Sequence, residues 1–572
     1  MMTKRLLYLI FSYMNKLKFL FGLILSMVGT GLGLLIPQFI GRLLDSSYLA
    51  ELLQNQESLL ILVVFFIGIY SLQAYSTYLL GSCASQALNI LQTKIYSSLL
   101  YSSVKELDNY QAGDLASRLT NDMSIVLNFI TVVLPAAFLD SIVILGSVYF
   151  LLTIHPLLTL LSGFCIPILL LVMVPLNKKL EENYARYQEK IGDISAQISH
   201  KFTNVRLIKS FQGEIVEKQG MASSFSLLSI LFRRIVRLSV FQNSLVNSLM
   251  MGFVILMMLI AGNEVSKGVL TMGTLTVFIL YVTQLLDPVT DLFHSLSEWS
   301  EFSSVSARLV VLLELKSEIG EFTNNEYLDG DIVFKDVSFA YEKDSVLKDL
   351  TFTIPKGKHV AIVGPSGSGK STIFNLLLKF YDQYNGDITI AGQDIKELSH
   401  KELRSCIAYV SQGNQLFQGS IRDNLLYAKN NNISEVDVHH LLQMLDLREM
   451  IDSLPLGLET TITESGVGLS EGQKQSLAIA RALLSKSSIY LMDEVTASLD
   501  SFSERRVSQV IDRVTANKTR LTIAHRLQTV TNADYVLVLN KNGSLADFGE
   551  HKEVLARNVF YKQCLQELAS VV

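Results

Sequence analysis

The sequence predicts a multidomain chain, α followed by α/β: six membrane-spanning helices with long cytosolic helical extensions, then a domain of alternating strands and helices. Three observations predict it. Hydrophobic residues make up 49% of the 572 and charged residues only 18%, against about 25% charged in an ordinary soluble chain. The apolar excess lies before about residue 310, in six stretches near spanning length, with none beyond. From about residue 332 onward, strand-like runs alternate with helical ones, the pattern of an α/β domain. The same composition excludes intrinsic disorder, which needs low hydrophobicity and high charge. Nine prolines exclude a proline-rich architecture. A net charge of −5 and a pI near 6.0 lack the polycationic mark of a nucleic-acid binder, so no nucleic-acid partner is expected. Cys83, Cys165, Cys406 and Cys564 lie far apart without metal-ligand spacing, and read as free thiols.

Crossing ~30 Å of hydrocarbon takes roughly 20 helical residues. The candidate spans are 18–41, 58–82, 128–154, 156–176, 239–261 and 273–296. Lysine and arginine mark the cytosolic side. They gather before the first span (Lys4, Arg5, Lys16, Lys18) and across 177–237, while the joints near 43–57, 155–156 and 262–272 carry little beyond Lys267. The N-terminus and the polar stretches 83–127 and 177–238 therefore face the cytosol, and an even number of spans returns the rest of the chain there. Apolar residues at three- and four-residue spacing within 181–211 predict helix continuing out of the membrane. The sixth span carries Asp287, Asp291 and His294 on one helical stripe. Ionisable groups at membrane depth usually face a wet cavity, which makes Asp287 and Asp291, joined by Asp140 of the third span, candidates for a substrate path favouring cationic or zwitterionic amphiphiles. The competing reading has Asp287 capping a kink at Pro288 and Asp291 already in water.

The predicted boundaries are 1–311 for the membrane domain, 312–330 for a polar linker and 331–572 for the α/β domain. In the last, HVAIVGPSGSGKSTIFNLLLKF is strand, glycine-rich turn and helix, matching GxxxxGK[ST]. Successive backbone N–H groups of Gly364, Pro365's successor Ser366, Gly367, Ser368 and Gly369 can turn inward on phosphate, and the helix start adds its dipole. Lys370 would reach the β- and γ-phosphates, with Ser371 on Mg²⁺ and Thr372 beside it. The strand SIYLMDE ends in Asp493, placed to hold Mg²⁺, and Glu494, placed as general base. Asn542–Gly543 reads as a hairpin turn.

Between these two elements stands ESGVGLSEGQKQSLAIARALL, which resembles the signature of ATP-binding cassette (ABC) ATPases. The whole chain is similar to an ABC exporter half-transporter of the type IV kind, with one P-loop NTPase cassette. That resemblance implies ATP and Mg²⁺ as cofactors, with Tyr341 stacking on adenine, Gln412 as the Q-loop residue and a metal ligand, Glu464 in the X-loop, and Ser498–Asp500 as the D-loop. It further implies His525 as the switch histidine, and Ser470, Gly472 and Gln473 contacting the nucleotide of a second chain. NYQAGDLASRLTND (109–122) and NVRLIKSFQGE (204–214) resemble its two coupling regions. The implied activity is ATP-driven export of a drug-like amphiphile or peptide across a bacterial cell membrane, among lipids, by a dimer of halves, with a homodimer preferred. The alternative is one half of a heterodimer exporting a peptide or bacteriocin or flipping a lipid. One departure is Glu471, where the family usually has glycine (LSGGQ); it fits a weakened site in a heterodimer and equally a tolerated substitution in a homodimer.

Overall fold

The structure is a computed structural model that describes residues 2–44, 56–163, 165–267, 270–318, 328–341, 344–413, 416–427, 433–462, 469–496, 499–524 and 526–570. It forms two compact units, one of Met1–Tyr96 with Leu115–Leu313, the other of Ser97–Asp114 with Glu314–Val572. The second unit thus includes a short segment that sequence reading assigned to the membrane domain.

The first unit is all helix. Among the described residues, five helical runs are long and apolar enough to cross a membrane: Lys16–Leu44, Val63–Leu100, Ala112–Ile154, Glu214–Ser266 and Met272–Leu313. The remaining expected span, 156–176, falls in helices Pro156–Gly163 and Cys165–Thr203, on either side of residue 164, which lies outside the described residues. Cys165–Thr203 and Glu214–Ser266 run 39 and 53 residues. At ~1.5 Å per residue the longer spans ~80 Å, far more than hydrocarbon thickness requires. Helices continuing out of the membrane are therefore present.

Breaks in these helices are covered by named partners. The first span is broken at Leu34–Leu35 between helices Lys16–Gly33 and Ile36–Leu44. There the buried Tyr281 hydroxyl donates to Leu34 O at 2.6 Å, satisfying a carbonyl that lipid cannot. Wide π-type turns interrupt the third helical run at Arg118–Asp122 and Phe129–Val133. The first ends on buried Asp122, which takes two hydrogen bonds from Arg308 at 3.1 and 2.9 Å. The second sets Phe129 face to face with Phe302, centroids 4.2 Å apart.

The second unit is built on a six-stranded sheet in the order Leu545–Glu550, Tyr535–Leu539, His359–Val363, Thr519–Ile523, Ile489–Asp493, Ile407–Val410. All neighbours are parallel except the edge strand Leu545–Glu550. Its central strands Ile489–Asp493 and Thr519–Ile523 are buried at every residue, as a parallel sheet covered on both faces should be. Ile362, Phe374, Leu491 and Leu537 fill one side, and Val363, Val536, Val538 and Tyr561 the other. A four-stranded antiparallel sheet, ordered Asp344–Ile354, Ile332–Tyr341, Asn385–Ile390, Gln393–Asp394, brings Tyr341 to the end of its strand. A helical layer around Glu471–Leu484 packs Leu477, Ile479 and Leu483 with Leu441 and Tyr490. The expected hairpin joins Tyr535–Leu539 to Leu545–Glu550. Gly543 turns there at φ 80, where a Cβ would lie 1.7 Å from Val346 O, so only glycine fits.

Candidate functional site

Parallel strands deliver the loops after them to one edge of the sheet, where ligands bind in open α/β folds. Four such loops meet here: 364–369 after His359–Val363, Gln412 after Ile407–Val410, Glu494 after Ile489–Asp493, and the segment after Thr519–Ile523. That last segment leads to His525, which lies outside the described residues, as do Glu464 and Ser498.

Gly369 caps helix Lys370–Leu377 at φ 90, and a Cβ on it would stand 2.5 Å from Leu347 Cδ2. The loop therefore needs glycine at this point both for conformation and for space. Ser366 and Gly367 are exposed, while Ser368 is buried with its Oγ unpartnered among the described residues. Lys370 Nζ donates to Gly364 O at 2.8 Å and Pro365 O at 3.0 Å. Burial pushes its pKa down, against Glu494 and Asp493, whose charges pull it up. Ser371 Oγ donates to Asp493 Oδ2 at 3.1 Å, and Asp493 is 5% exposed. Gln412 Nε2 donates to Glu494 Oε2 at 2.7 Å. Glu494 itself sits at φ 49, a left-handed conformation that glycine favours. Tyr341 reaches the same helix: its hydroxyl lies 3.4 Å from Thr372 Oγ1 and accepts from Asn375 Nδ2 at 3.0 Å. Phe339 and Tyr381 meet its ring edge-on at 4.7 and 4.9 Å. The contacts thus form three sets, Tyr341 with Thr372 and Asn375, Lys370 with the loop, and the pairs Ser371–Asp493 and Gln412–Glu494, joined where their residues are neighbours in the chain.

Ser470, Gly472 and Gln473 stand elsewhere in the cassette, at the start of helix Glu471–Leu484. Ser470 and Gln473 form a reciprocal capping box, Gln473 N to Ser470 Oγ at 3.2 Å and Ser470 N to Gln473 Oε1 at 2.8 Å. Glu471 pairs with Lys474 at 2.7 Å. Asp500 caps helix Ser501–Val514, accepting from Phe502 N and Ser503 N.

Within the second unit, three polar contacts are made by residues just ahead of 109–122, the stretch expected to be a coupling region. Lys105 Nζ donates to Gln383 Oε1 at 2.5 Å, the Tyr381 hydroxyl donates to Asp108, and Glu106 Oε2 accepts from Lys316 N at 2.8 Å. Sequence reading missed these residues because the signal, a four-residue helix Val104–Leu107, is too short for periodicity to register. In 204–214, the other stretch expected to be a coupling region, helix Val205–Ser210 leaves Leu207 and, just past it, Phe211 exposed at 58% and 79%.

The first unit holds a partly open cavity of about 710 Å³ between helices, within the drug-sized range. Its charged and titratable lining is Glu181, Tyr184, Asp287, His294 and Glu298, accompanied by Asn177, Gln242, Asn243 and Asn247; its described lining includes no Lys or Arg. Gln242 Nε2 donates to Asn177 Oδ1 at 2.6 Å, and Ser297 Oγ donates to Glu181 Oε1 at 2.9 Å. Of the three carboxylates singled out from the sequence, Asp287 lines the cavity, and Asp291 and Asp140 are not in its lining. At about 100° per residue, Asp291 falls about 40° past Asp287, beyond the face that Thr290, Phe293 and Ser297 turn inward. Asp140 precedes the lining residues Val148 and Leu151 of its helix by two turns or more, and its Oδ2 is buried without a hydrogen-bond partner among the described residues. Glu181 and Glu298 were not anticipated, because no spacing in the sequence links one helix's inward face to another's.

Residues 19–289 match the family described as the ABC transporter transmembrane region, and residues 347–497 that described as ABC transporter. The chain is 32% identical over 558 residues to a "Multidrug resistance ABC transporter ATP-binding and permease protein" of Lactococcus lactis subsp. cremoris, covering 97% of this chain and 93% of that one. It is 30% identical over 492 residues to an "ATP-dependent lipid A-core flippase" of Vibrio parahaemolyticus, covering 85% and 84%. It is 31% identical over 508 residues to "ABC transporter B family member 1" of Dictyostelium discoideum, covering 88% of this chain and 55% of that protein.

Proposed function

This chain belongs to the ABC transporter family as a half-transporter, a membrane-embedded transport ATPase that works as a dimer of halves, and from that premise we propose how it turns over ATP and what it exports. Tyr341 stacks on the adenine, the 364–369 backbone and Lys370 hold the phosphates, and Thr372 steadies the helix start. The donor set offered by Ser371, Asp493 and Gln412 is all oxygen, with Ser371 and Asp493 already in contact, and hard oxygen donors suit Mg²⁺. When bound there, Mg²⁺ neutralises charge on the β- and γ-phosphates. Glu494 takes the proton from the attacking water, oriented by its hydrogen bond from Gln412, and His525 assists at the γ-phosphate. Ser470, Gly472 and Gln473 of the other half close the site. Since one chain carries the complete residue set, the dimer is a homodimer. The N-terminus and cassette lie in the cytosol, and 1–311, apart from the 97–114 segment that packs with the cassette, is the membrane domain.

The cargo is a cationic amphiphile. The observation that carries this is the cavity itself, lined by Glu181, Asp287 and Glu298 without Lys or Arg among its described residues. Asp287 within the sixth span is expensive to keep charged without a partner, and a cationic headgroup supplies one, with Glu181 and Glu298 just past the span ends adding to the attraction; its apolar body can lie against Met250, Phe253 and Phe293. An anionic lipid headgroup meets repulsion at the same place. The test is ATPase stimulation and uptake in reconstituted vesicles, with amphiphiles matched in hydrophobicity but cationic, neutral or anionic. Cationic members should stimulate, and Asp287→Asn with Glu181→Gln should blunt that stimulation while sparing the basal rate. Equal stimulation by neutral or anionic members would overturn the cargo assignment.

A further inference from the structure

The signature departs from its family pattern at one residue, and the departure places a carboxylate between two groups assigned to the partner's nucleotide. Glu471 stands between Ser470 and Gly472 on the first turn of helix Glu471–Leu484, with its side chain 66% exposed. ATP brings about four negative charges to this position. A helix start favours anions, but a fixed carboxylate there competes with the phosphate for the same field. The structure shows what answers it. Lys474 Nζ lies 2.7 Å from Glu471 Oε1, and its side chain is only 19% exposed, so the ammonium is held against the helix. Among the described residues, Lys474 is the one cation within ion-pair distance of Glu471. Glutamate three residues ahead of lysine is the favourable order on a helix. A partly exposed pair of this kind adds little to folding, so its effect falls on what binds at the helix start.

We propose that Lys474 is a positioning residue for ATP: it draws the Glu471 carboxylate back along the helix and cancels its charge, so that nucleotide held by one half can still close on Ser470 and Gly472 of the other. This rests on the homodimeric reading above. It also makes Glu471 compatible with a working site, so the altered signature need not mark a weakened one.

Unmasking one unit charge at ~4 Å in water changes an equilibrium by roughly fivefold. Full-length Lys474→Gln should therefore raise the KM for MgATP roughly fivefold or more, with kcat changed less than twofold. The effect should shrink at high salt as screening shortens its range. Lys474→Arg should restore the KM. Glu471→Gly combined with Lys474→Gln should return it to within twofold of Glu471→Gly alone. A combined variant as impaired as Lys474→Gln would show that the lysine acts independently of Glu471 and would overturn the proposal. The same substitutions are titrated in a Glu494→Gln background, reading the ATP needed for half-maximal cassette pairing by native mass spectrometry. If the otherwise unmodified chain fails to pair with itself, the homodimeric reading falls and this one with it. Normal pairing with an unshifted Lys474→Gln removes this proposal alone.

Discussion

Replacing Glu494 by glutamine separates chemistry from fold more sharply than any other change at the ATP site. The substitution is isosteric, so the φ of 49 and the fit beside Asp493 are kept. What changes is the charge that pulls up the Lys370 pKa and, more directly, the 2.7 Å hydrogen bond from Gln412. It goes from a charged acceptor to a neutral one, a loss of about 1 kcal/mol at most, because charge-assisted bonds are worth roughly twice neutral ones. In a domain of this size that lowers Tm by about 2–4 °C. The catalytic loss is of another order. An amide cannot take the proton from water, and removal of a positioned general base lowers turnover by ~10²–10⁴-fold, equivalent to ~2.7–5.4 kcal/mol in the barrier. The assay pairs phosphate release with thermal unfolding on the same preparation, and native mass spectrometry reads dimers that retain ATP. The expected result is ATP-bound dimer accumulating, turnover reduced at least 100-fold, and Tm nearly unchanged. Near-normal turnover would refute the role of Glu494, and a Tm fall of more than about 8 °C would show that the carboxylate is structural.

Gly369→Ala forces a left-handed alanine and a Cβ 2.5 Å from Leu347 Cδ2; it should destabilise the cassette by about 2–4 kcal/mol and weaken ATP binding, both measurable by unfolding with and without nucleotide. Tyr381→Phe keeps the ring against Tyr341 but removes the hydroxyl that Asp108 accepts from; basal ATPase should persist while stimulation by cargo falls severalfold, and unchanged stimulation would leave that bond without a coupling role. His359 is held at about 3, chiefly by burial and then by the Arg520 guanidinium, which donates to its Nδ1 at 2.8 Å. Between that value and the ordinary 6.5, the unfolded chain binds more protons than the folded one. Stability should therefore fall as pH drops through this window, by up to about 1.4 kcal/mol per pH unit. His359→Gln should flatten the slope of urea midpoint against pH, and an identical slope would assign it to other groups.

The ATP site was legible because its parts are local. Gly369, Lys370 and Ser371 are consecutive, and Asp493 ends an apolar run, so spacing alone reveals what each loop carries. That the loops converge follows from parallel strands, which the alternation of strand and helix already implied. The membrane cavity was legible only where one helix supplies it. Asp287 was found from the sixth span, yet Asp291 was grouped with it although it lies past the edge of the inward face. Glu181 and Glu298 went unnoticed because each lies near or beyond a span's end, in a stretch that reads as an ordinary exposed helix. The wide turns at Arg118–Asp122 and Phe129–Val133 left no compositional trace either. They are enforced by tertiary partners, Arg308 and Phe302, more than 170 residues away in the chain.

The cassette's fold does not begin where its sequence does. Ser97–Asp114 belongs to the same compact body as Glu314–Val572, tied by Lys105 to Gln383, Asp108 to Tyr381, and Ser103 N to Lys316 O at 3.2 Å. A chimera that exchanges cassettes between half-transporters by cutting only in the 312–330 stretch would join each new cassette to a foreign copy of this segment. The pairs would then be drawn from two different parents, and a mismatched Asp108 or Gln383 would weaken the graft without any flaw in either parent. Transplanting 97–114 together with the cassette keeps the matched set, and that stretch is the natural second junction for anyone recombining these proteins.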